Sequence, residues 1–172
     1  MNTRQDQYNK PLPPMNTWSK PFWDSVNNRK PLVRKCQSGH IHLPFHSTCT
    51  KCPSDKHDWV NLTGTGTIYS MAIYYQLWHS GWTNEIPYNT VLVDLDEGVQ
   101  VPGDIVAIKN DDIDVGMRVE MVFEDILPGI TIWHFKPIEP LQFATHPLGR
   151  AHNYEERPKP NHPITGQMLD QK

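Results

Sequence analysis

The sequence predicts a mainly β protein, in which an N-terminal helix and a small cysteine-containing ribbon precede a barrel of five strands. Three observations predict this fold class. All three cysteines lie between positions 36 and 52, residues 59–140 alternate apolar with polar side chains, and the prolines cluster at both ends of the chain. With 37% hydrophobic residues among 172, the composition allows one modest core flanked by extended terminal arms.

The N-terminal part of the chain is predicted to contain an extended arm and one short helix. Residues 1–16 are polar and rich in proline, which favours an extended segment. A helix is predicted over residues 17–28, because Trp18, Phe22 and Val26 recur at helical spacing. A short strand, PLVRKC, follows and leads into the cysteines. The helix and the cysteine segment together form the predicted region 17–58.

The segment CQSGHIHLPFHSTCTKC has the spacing of a zinc ribbon. Cys49 and Cys52 form a Cys-x2-Cys knuckle, which supplies two ligands from one tight turn. Cys36 lies thirteen residues upstream of this knuckle, at the end of a predicted strand. Zinc prefers four tetrahedral ligands, and the chain has no fourth cysteine. The fourth ligand must therefore be a different type of side chain.

Three histidines lie between the cysteines and are candidates for the fourth ligand. His40 is the first candidate because Gly39 lets the backbone bend towards Cys36, His42 is the second, and His46 is the third. The alternatives are a redox dithiol, a ribbon held by packing without metal, and a catalytic zinc with an open position. No βαβ pattern surrounds the Cys-x2-Cys pair, and no general base is evident nearby. The spacing favours a structural zinc bound by Cys36, His40, Cys49 and Cys52.

Residues 59–140 are predicted to form the barrel. The stretch DWVNLTGTGTIYSMAIYYQL is rich in β-branched and aromatic residues, and Gly64 and Gly66 within it indicate a bulge or a sharp bend. YNTVLVDLDEGVQVPGDIVAIK contains two strands joined at DEG, and GMRVEMVFEDI pairs with GITIWHFKPI across LPG. About five twisted strands in some 80 residues suit an OB-fold.

The C-terminal tail, residues 141–172, lacks any sustained apolar period. A segment of this composition does not fold alone, but it can be ordered as an extended arm on a partner. We therefore predict a strap that docks on a partner through a series of spaced apolar side chains: Phe143, Leu148, Tyr154, Ile164, Met168 and Leu169.

Charge is unevenly distributed along the chain and bears on the choice of partner. Residues 1–58 carry nine Lys or Arg against four Asp or Glu, whereas residues 59–140 carry three against twelve. An acidic barrel is a poor partner for phosphate backbones, so we expect no binding to nucleic acid. No apolar stretch approaches the roughly 20 residues of a membrane span. The polar N-terminus and the odd number of cysteines favour a cytoplasmic location.

The segment LWHSGWTNEIPY joins two predicted barrel strands and carries Trp78, His79, Trp82 and Tyr88. Aromatic side chains in OB-fold loops can stack on bases, although the acidic barrel argues against that role. Some of these rings can instead cap the barrel. Because Trp and Tyr are favoured anchors at interfaces, the four residues are also candidates for contact with a protein partner or an acyl-CoA.

Several motifs occur together in one order over residues 11–140. They are a proline-rich lead, PFWD, a strand into the cysteine ribbon, GTGTIYS, PYNTVLVDLDEG and GMRVEMVFED. In this order they resemble domain-of-unknown-function family thirty-five, whose members pair a rubredoxin-like zinc ribbon with an OB-fold. At the first knuckle the family usually has Cys-x2-Cys-Gly, whereas CQSGH lacks the second cysteine. His40 is therefore a substitute ligand by proximity and not by family precedent.

The resemblance implies a partner and a function. Members of this family bind thiolase-fold enzymes that act on acyl-CoA, as in benzoylsuccinyl-CoA thiolase and steroid side-chain aldolases. It implies a non-catalytic subunit that stabilises such an enzyme during thiolytic or retro-aldol cleavage and helps to line the CoA channel. The expected assembly is a hetero-oligomer with two copies of each subunit. The alternatives are a free-standing zinc-dependent hydrolase or transferase, and an OB protein that binds single-stranded nucleic acid.

Overall fold

The computed structural model of the protein describes residues 8–45 and 48–142. Within these ranges the chain forms one α-helix, α1 (Lys20–Asn27), and eight strands arranged in two antiparallel sheets. His46 and the predicted strap beyond residue 142 lie outside the described residues.

The smaller sheet has three strands and is the ribbon. Its central strand β1 (Leu32–Cys36) lies between β2 (Ile41–His42) and β3 (His57–Asn61). β1 pairs with both neighbours in antiparallel register. The sequence pattern predicts a barrel that begins at residue 59. That residue lies in β3, and β3 pairs with β1 of the ribbon. The cysteine segment thus runs from the end of β1, through β2, into the chain that precedes β3.

The larger sheet has five antiparallel strands in the order β6-β5-β4-β7-β8. The strand Tyr88–Leu95 alternates buried and more exposed positions over most of its length, as the sequence pattern predicts for a strand with one face on a core. Their bounds are β4 (Thr65–Tyr74), β5 (Tyr88–Leu95), β6 (Gln100–Gly103), β7 (Arg118–Leu127) and β8 (Ile130–Pro137).

A short seam joins the two edges of this sheet. Ile105, just after β6, forms a parallel bridge with Phe135 of β8. The backbone N–H of Val106 donates to the carbonyl oxygen of Phe135 at 2.8 Å, and the N–H of Phe135 donates to that of Asp104 at 2.8 Å. Because the two edges are hydrogen-bonded, the five strands form a nearly closed barrel around a core that includes Phe135. The predicted mainly β fold with a five-stranded barrel is confirmed.

A glycine separates the ribbon from the barrel. The sequence pattern indicates a bulge or bend near Gly64 and Gly66, and the chain bends at Gly64, which has a left-handed φ of 81°. A Cβ at Gly66 would lie 2.5 Å from the carbonyl oxygen of Asp94 on β5, so this position admits no side chain. The register of β4 shifts between Ile68 and Ser70. The bend turns one apolar run of sequence into two strands of different sheets.

Helix α1 packs one apolar face against β7 and β8 of the barrel. Phe22, Trp23 and Val26 are buried and form a cluster with Phe123 and Trp133 of β7 and β8. The rings of Trp23 and Trp133 stack with centroids 5.4 Å apart. The helix begins three residues later than predicted, because turns occupy the preceding positions. Among the described residues, no helix is long and apolar enough to cross a membrane.

Arg34 is a buried cation in the ribbon. Its side chain projects from β1, and the residue is only 8% exposed. The guanidinium lies 5.5 Å from the ring centroid of Trp18 and 5.2 Å from that of Trp59. Burial lowers the pKa of Arg34, while the two indole faces stabilise its charge. These contacts join the start of the helix to two strands of the ribbon.

Candidate metal centre and aromatic loop

The turn between β1 and β2 brings the first cysteine and a histidine together. Cys36 ends β1, and its backbone N–H donates to the carbonyl oxygen of His40 at 2.9 Å. Gly39 has a φ of 85° in this turn, a conformation that glycine adopts without steric cost. As a result, Cys36 Sγ lies 3.5 Å from His40 Nδ1.

The Cys-x2-Cys pair forms a second tight turn that faces the first. The backbone N–H of Lys51 donates to Cys49 Sγ at 3.3 Å, and the N–H of Cys49 donates to the carbonyl oxygen of Ser54 at 2.9 Å. Cys52 Sγ lies 3.6 Å from Cys36 Sγ. The knuckle therefore directs both of its sulfur atoms towards the β1–β2 turn.

The four donor atoms of Cys36, His40, Cys49 and Cys52 all lie within 4.8 Å of one another. Cys49 Sγ is 3.7 Å from His40 Nδ1, in addition to the shorter distances given above. A tetrahedral zinc with bonds of about 2.3 Å to sulfur and about 2.0 Å to nitrogen separates its ligands by roughly 3.5–3.8 Å. The three distances given above match this range, so the cluster could hold a metal ion. The structure brings together all four residues that the sequence analysis selected.

The environment of the knuckle favours a thiolate at Cys52. The pKa of Cys52 is lowered to about 6, first by a hydrogen bond from the backbone of Ser54 and then by hydrogen bonds from His40 and Ser38. Burial raises the pKa of Cys49. Metal ligation requires deprotonated sulfur, so the hydrogen bonds to Cys52 prepare one ligand of the cluster.

The other candidate histidines do not join the cluster. His42 is 7% exposed, and its Nδ1 lies 3.1 Å from the carbonyl oxygen of Leu43. The His42 ring meets that of His57 edge-on, with centroids 5.0 Å apart. His46 lies outside the described residues. Among the histidines that the structure describes between the cysteines, the cluster contains His40 and not His42.

The four aromatic residues of the candidate contact have different surroundings. Trp82 stacks on Tyr88 with centroids 5.8 Å apart, and Tyr88 stacks on Tyr74 at 5.2 Å. His79 meets the edge of Trp82 at 5.6 Å. Trp78, by contrast, is 67% exposed. Three of the four rings are therefore part of one aromatic cluster at the end of the barrel, with Trp82 and Tyr88 stacked and His79 edge-on, and Trp78 projects from the loop into solvent.

The N-terminal arm contacts this loop, which the sequence analysis did not anticipate. Lys10 Nζ lies 5.5 Å from the ring centroid of Trp82 and 2.7 Å from Glu85 Oε2. A Cβ at Gly81 would lie 3.0 Å from the carbonyl oxygen of Asn9, so the arm and the loop approach closely. The Lys10–Glu85 pair spans 75 positions of sequence, and neither residue belongs to a motif.

His134 of β8 links three segments beside the barrel seam. Its Nδ1 lies 2.6 Å from Asp104 Oδ1, and its Nε2 lies 3.0 Å from Glu124 Oε2. The hydrogen bond with Asp104, followed by the charges of both carboxylates, raises the pKa of His134, although burial opposes the shift. Both ring nitrogens are engaged with carboxylates, so the protonated ring braces the seam.

This contact predicts a pH dependence of stability. Because the folded-state pKa is raised, the stabilisation is complete below the ordinary histidine pKa of about 6.5 and is lost as the pH rises through the folded-state value. The stability advantage of the wild-type protein over His134→Gln should therefore shrink from pH 6 towards pH 9. Urea denaturation at several pH values measures it. An advantage that stays constant or grows with pH would contradict the assignment.

Comparison with known protein families identifies the barrel. Residues 59–124 match the family model described as ChsH2, C-terminal OB-fold domain. A DUF35 domain-containing scaffold protein of Methanothermobacter thermautotrophicus is 31% identical over 111 residues, which cover 60% of this chain and 80% of that protein. The matched segment of the family model contains β4, β5 and β6 and most of β7.

Two further relatives carry names connected with acyl-CoA or aldol chemistry. A probable enoyl-CoA hydratase alpha subunit of Thermomonospora curvata is 28% identical over 132 residues, but this chain spans only 41% of its length. A chain of the solved structure named Ltp2-ChsH2(DUF35) aldolase is 28% identical, with a TM-score of 0.65. That match covers 73% of this chain and 98% of the other.

Proposed function

We propose, from the premise that this chain belongs to the DUF35 family, that it is an accessory subunit of an enzyme that acts on acyl-CoA. The observation that carries the proposal is the match to nearly the whole of one chain in an aldolase structure. Relatives are also named as scaffold proteins and as a hydratase alpha subunit. The hydratase relative is more than twice as long as the matched region. We therefore do not propose a hydratase activity for this chain.

The partner that we propose is a thiolase-fold enzyme performing thiolytic or retro-aldol cleavage, in an assembly with two copies of each subunit. The role of this chain there is to stabilise the enzyme and not to react. Thiolytic cleavage depends on an activated nucleophile such as a cysteine thiolate. All three cysteines of the sequence belong to the candidate metal centre, which supports a catalytic centre on the partner.

The metal that we propose is a structural zinc bound by Cys36, His40, Cys49 and Cys52. Three sulfur donors and one imidazole at tetrahedral separations suit zinc, and a four-residue ligand set leaves no open position for substrate. The bound metal would supply a cross-link between the two turns of the ribbon. The protein's own residues then position the loop and the barrel against the partner.

We propose that the aromatic loop contacts the neutral part of the CoA thioester. Beside Trp82 and Tyr88 lies a cleft of about 520 Å³. Glu85 and Asp104 line this cleft together with Lys10 and His134, and Glu124 contacts His134. Since the three carboxylates offset both cations and leave no net positive charge for phosphate groups, we propose that the loop faces the neutral acyl or pantetheine portion. The phosphates of CoA would then lie on the partner.

A turnover assay tests the proposed function. This chain and the proposed thiolase-fold partner are purified separately and supplied with an acyl-CoA substrate, alone and recombined. We expect no cleavage by this chain alone, weak activity or insolubility of the enzyme subunit alone, and activity after recombination. Chelator-sensitive turnover by this chain alone would instead support a zinc-dependent hydrolase or transferase. Salt-sensitive binding to a single-stranded oligonucleotide would support the nucleic-acid alternative.

A further inference from the structure

Large apolar side chains are exposed together on the loop between β4 and β5. Within residues 75–86, Trp78 is 67% exposed, Tyr75 60%, Leu77 43% and Ile86 36%. These four residues are called the apolar patch below. Single exposed apolar residues are common on soluble proteins, but a group of this size on one loop is typical of an interaction site.

The patch lies at one end of the barrel. Tyr74, the last residue of β4, is paired with Tyr88, the first residue of β5. Tyr75 and Ile86 therefore leave the sheet near the same point, and Leu77 and Trp78 follow within one short turn of chain. The four side chains are thus carried by the two ends of one loop.

The loop that carries the patch is held in place from several sides. His79 Nδ1 accepts a hydrogen bond from the backbone N–H of Gly81 at 3.0 Å, and Thr83 Oγ1 donates to the carbonyl oxygen of Ser80 at 2.7 Å. The side chain of Asn110 donates to the carbonyl oxygen of Pro87 at 2.8 Å. Together with the Trp82–Tyr88 stack and the Lys10–Glu85 pair, these bonds fix the loop before any partner binds. Preorganisation of this kind reduces the entropy lost on association.

The charges near the patch indicate the kind of surface that it fits. Asp111 and Asp112 are exposed on the turn that begins with Asn110, and Lys109 offsets one of these charges. The barrel region, residues 59–140, carries three Lys or Arg against twelve Asp or Glu. A partner surface with an apolar pocket and a basic rim is therefore complementary to this end of the barrel.

We infer that the apolar patch docks into an apolar pocket with a Lys- or Arg-rich rim on the enzyme subunit, with Trp78 as the central anchor. A second copy of this chain does not fit the same role. A symmetric contact would bring two acidic rims together. A contact between the patch and the basic N-terminal region would be head-to-tail, and such contacts form rings or open filaments and not a two-fold dimer. This inference rests on the proposed function and identifies the surface through which this chain would bind its enzyme partner.

The test compares full-length variants for binding to the proposed thiolase-fold partner, the same enzyme subunit as in the turnover assay. Trp78→Ala should weaken binding at least about tenfold, the size of effect that separates an interface hot spot from its neighbours. Leu77→Asp should weaken it further, because a charge would enter the apolar pocket. Both positions are exposed, so circular dichroism and the melting temperature should match those of the wild type. Isothermal titration or biolayer interferometry measures the dissociation constant.

Trp18→Ala is the matched control, since Trp18 is also a tryptophan that is more than half exposed but lies beside the ribbon. We expect this variant to bind like the wild type. If Trp78→Ala and Leu77→Asp bind as tightly as the wild type, the docking surface is wrong while the accessory role stands. If the wild-type chain itself does not bind the enzyme subunit, the proposed function fails first. Self-association of the chain that Leu77→Asp abolishes would point to a second copy and overturn the inference.

Discussion

Replacement of Cys49 by serine is expected to abolish stoichiometric metal binding and to unfold the ribbon. Cys49 supplies one of the four donors, and its backbone and sulfur also form the knuckle with Lys51 and Ser54. Binding of a structural zinc contributes on the order of 10 kcal/mol to the folding of small metal domains, so loss of the metal removes most of the stability of such a ribbon. The barrel should survive, because its core is formed largely by its own strands.

Metal analysis together with amide NMR spectra measures this effect. The wild-type protein should contain about one zinc per chain, and Cys49→Ser should contain far less and lose the dispersed signals of the ribbon. His40→Ala should also reduce the zinc content, whereas His42→Gln should retain it, since His42 lies outside the cluster. Wild-type protein with well under one equivalent of zinc would contradict the metal assignment. Equal loss in both histidine variants would contradict the choice of His40.

Phe22→Ala is expected to lower the free energy of unfolding by about 3–5 kcal/mol, the usual effect of removing a buried aromatic ring. Phe22 is 2% exposed. Its ring lies 5.3 Å from that of Trp23, 5.6 Å from Trp133 on β8 and 5.7 Å from Phe45 in the cysteine segment. The side chain therefore joins the helix to both the barrel and the ribbon, and no single neighbour can fill the cavity that it leaves.

Urea denaturation of Phe22→Ala and of Trp18→Ala tests this role. Trp18 is 52% exposed and stacks on Arg34, so its removal should cost about 1 kcal/mol or less. The large difference between the two variants separates a core position from a surface position on the same short segment. Similar losses for both variants would show that the helix does not depend on the Phe22 cluster.

The sequence was most informative where the relevant contacts are local. Cys36 and His40 are separated by one turn, and Cys49 and Cys52 by another, so the sequence could propose these four residues, which the structure places together. Strand alternation and turn residues likewise predicted the five barrel strands, because side-chain period and hairpin length are local properties.

Contacts between distant segments could not be predicted in this way. The sequence does not show that Lys10 reaches Glu85, or that His134 lies between Asp104 and Glu124, because no periodic pattern links these positions. For the same reason, the sequence could not show that Trp82 stacks on Tyr88 while Trp78 is exposed. Four neighbouring aromatic residues look alike in sequence, and only the fold assigns them to a stack or to the surface.

The most direct test of the accessory-subunit account is the mass of the particle formed with the enzyme subunit. The two full-length proteins are co-expressed, purified through a tag on the enzyme subunit, and analysed by size-exclusion chromatography with light scattering. The account predicts one species containing both chains in equal number, with a mass equal to two copies of each. Separate elution of the two chains, each at its own mass, would contradict it.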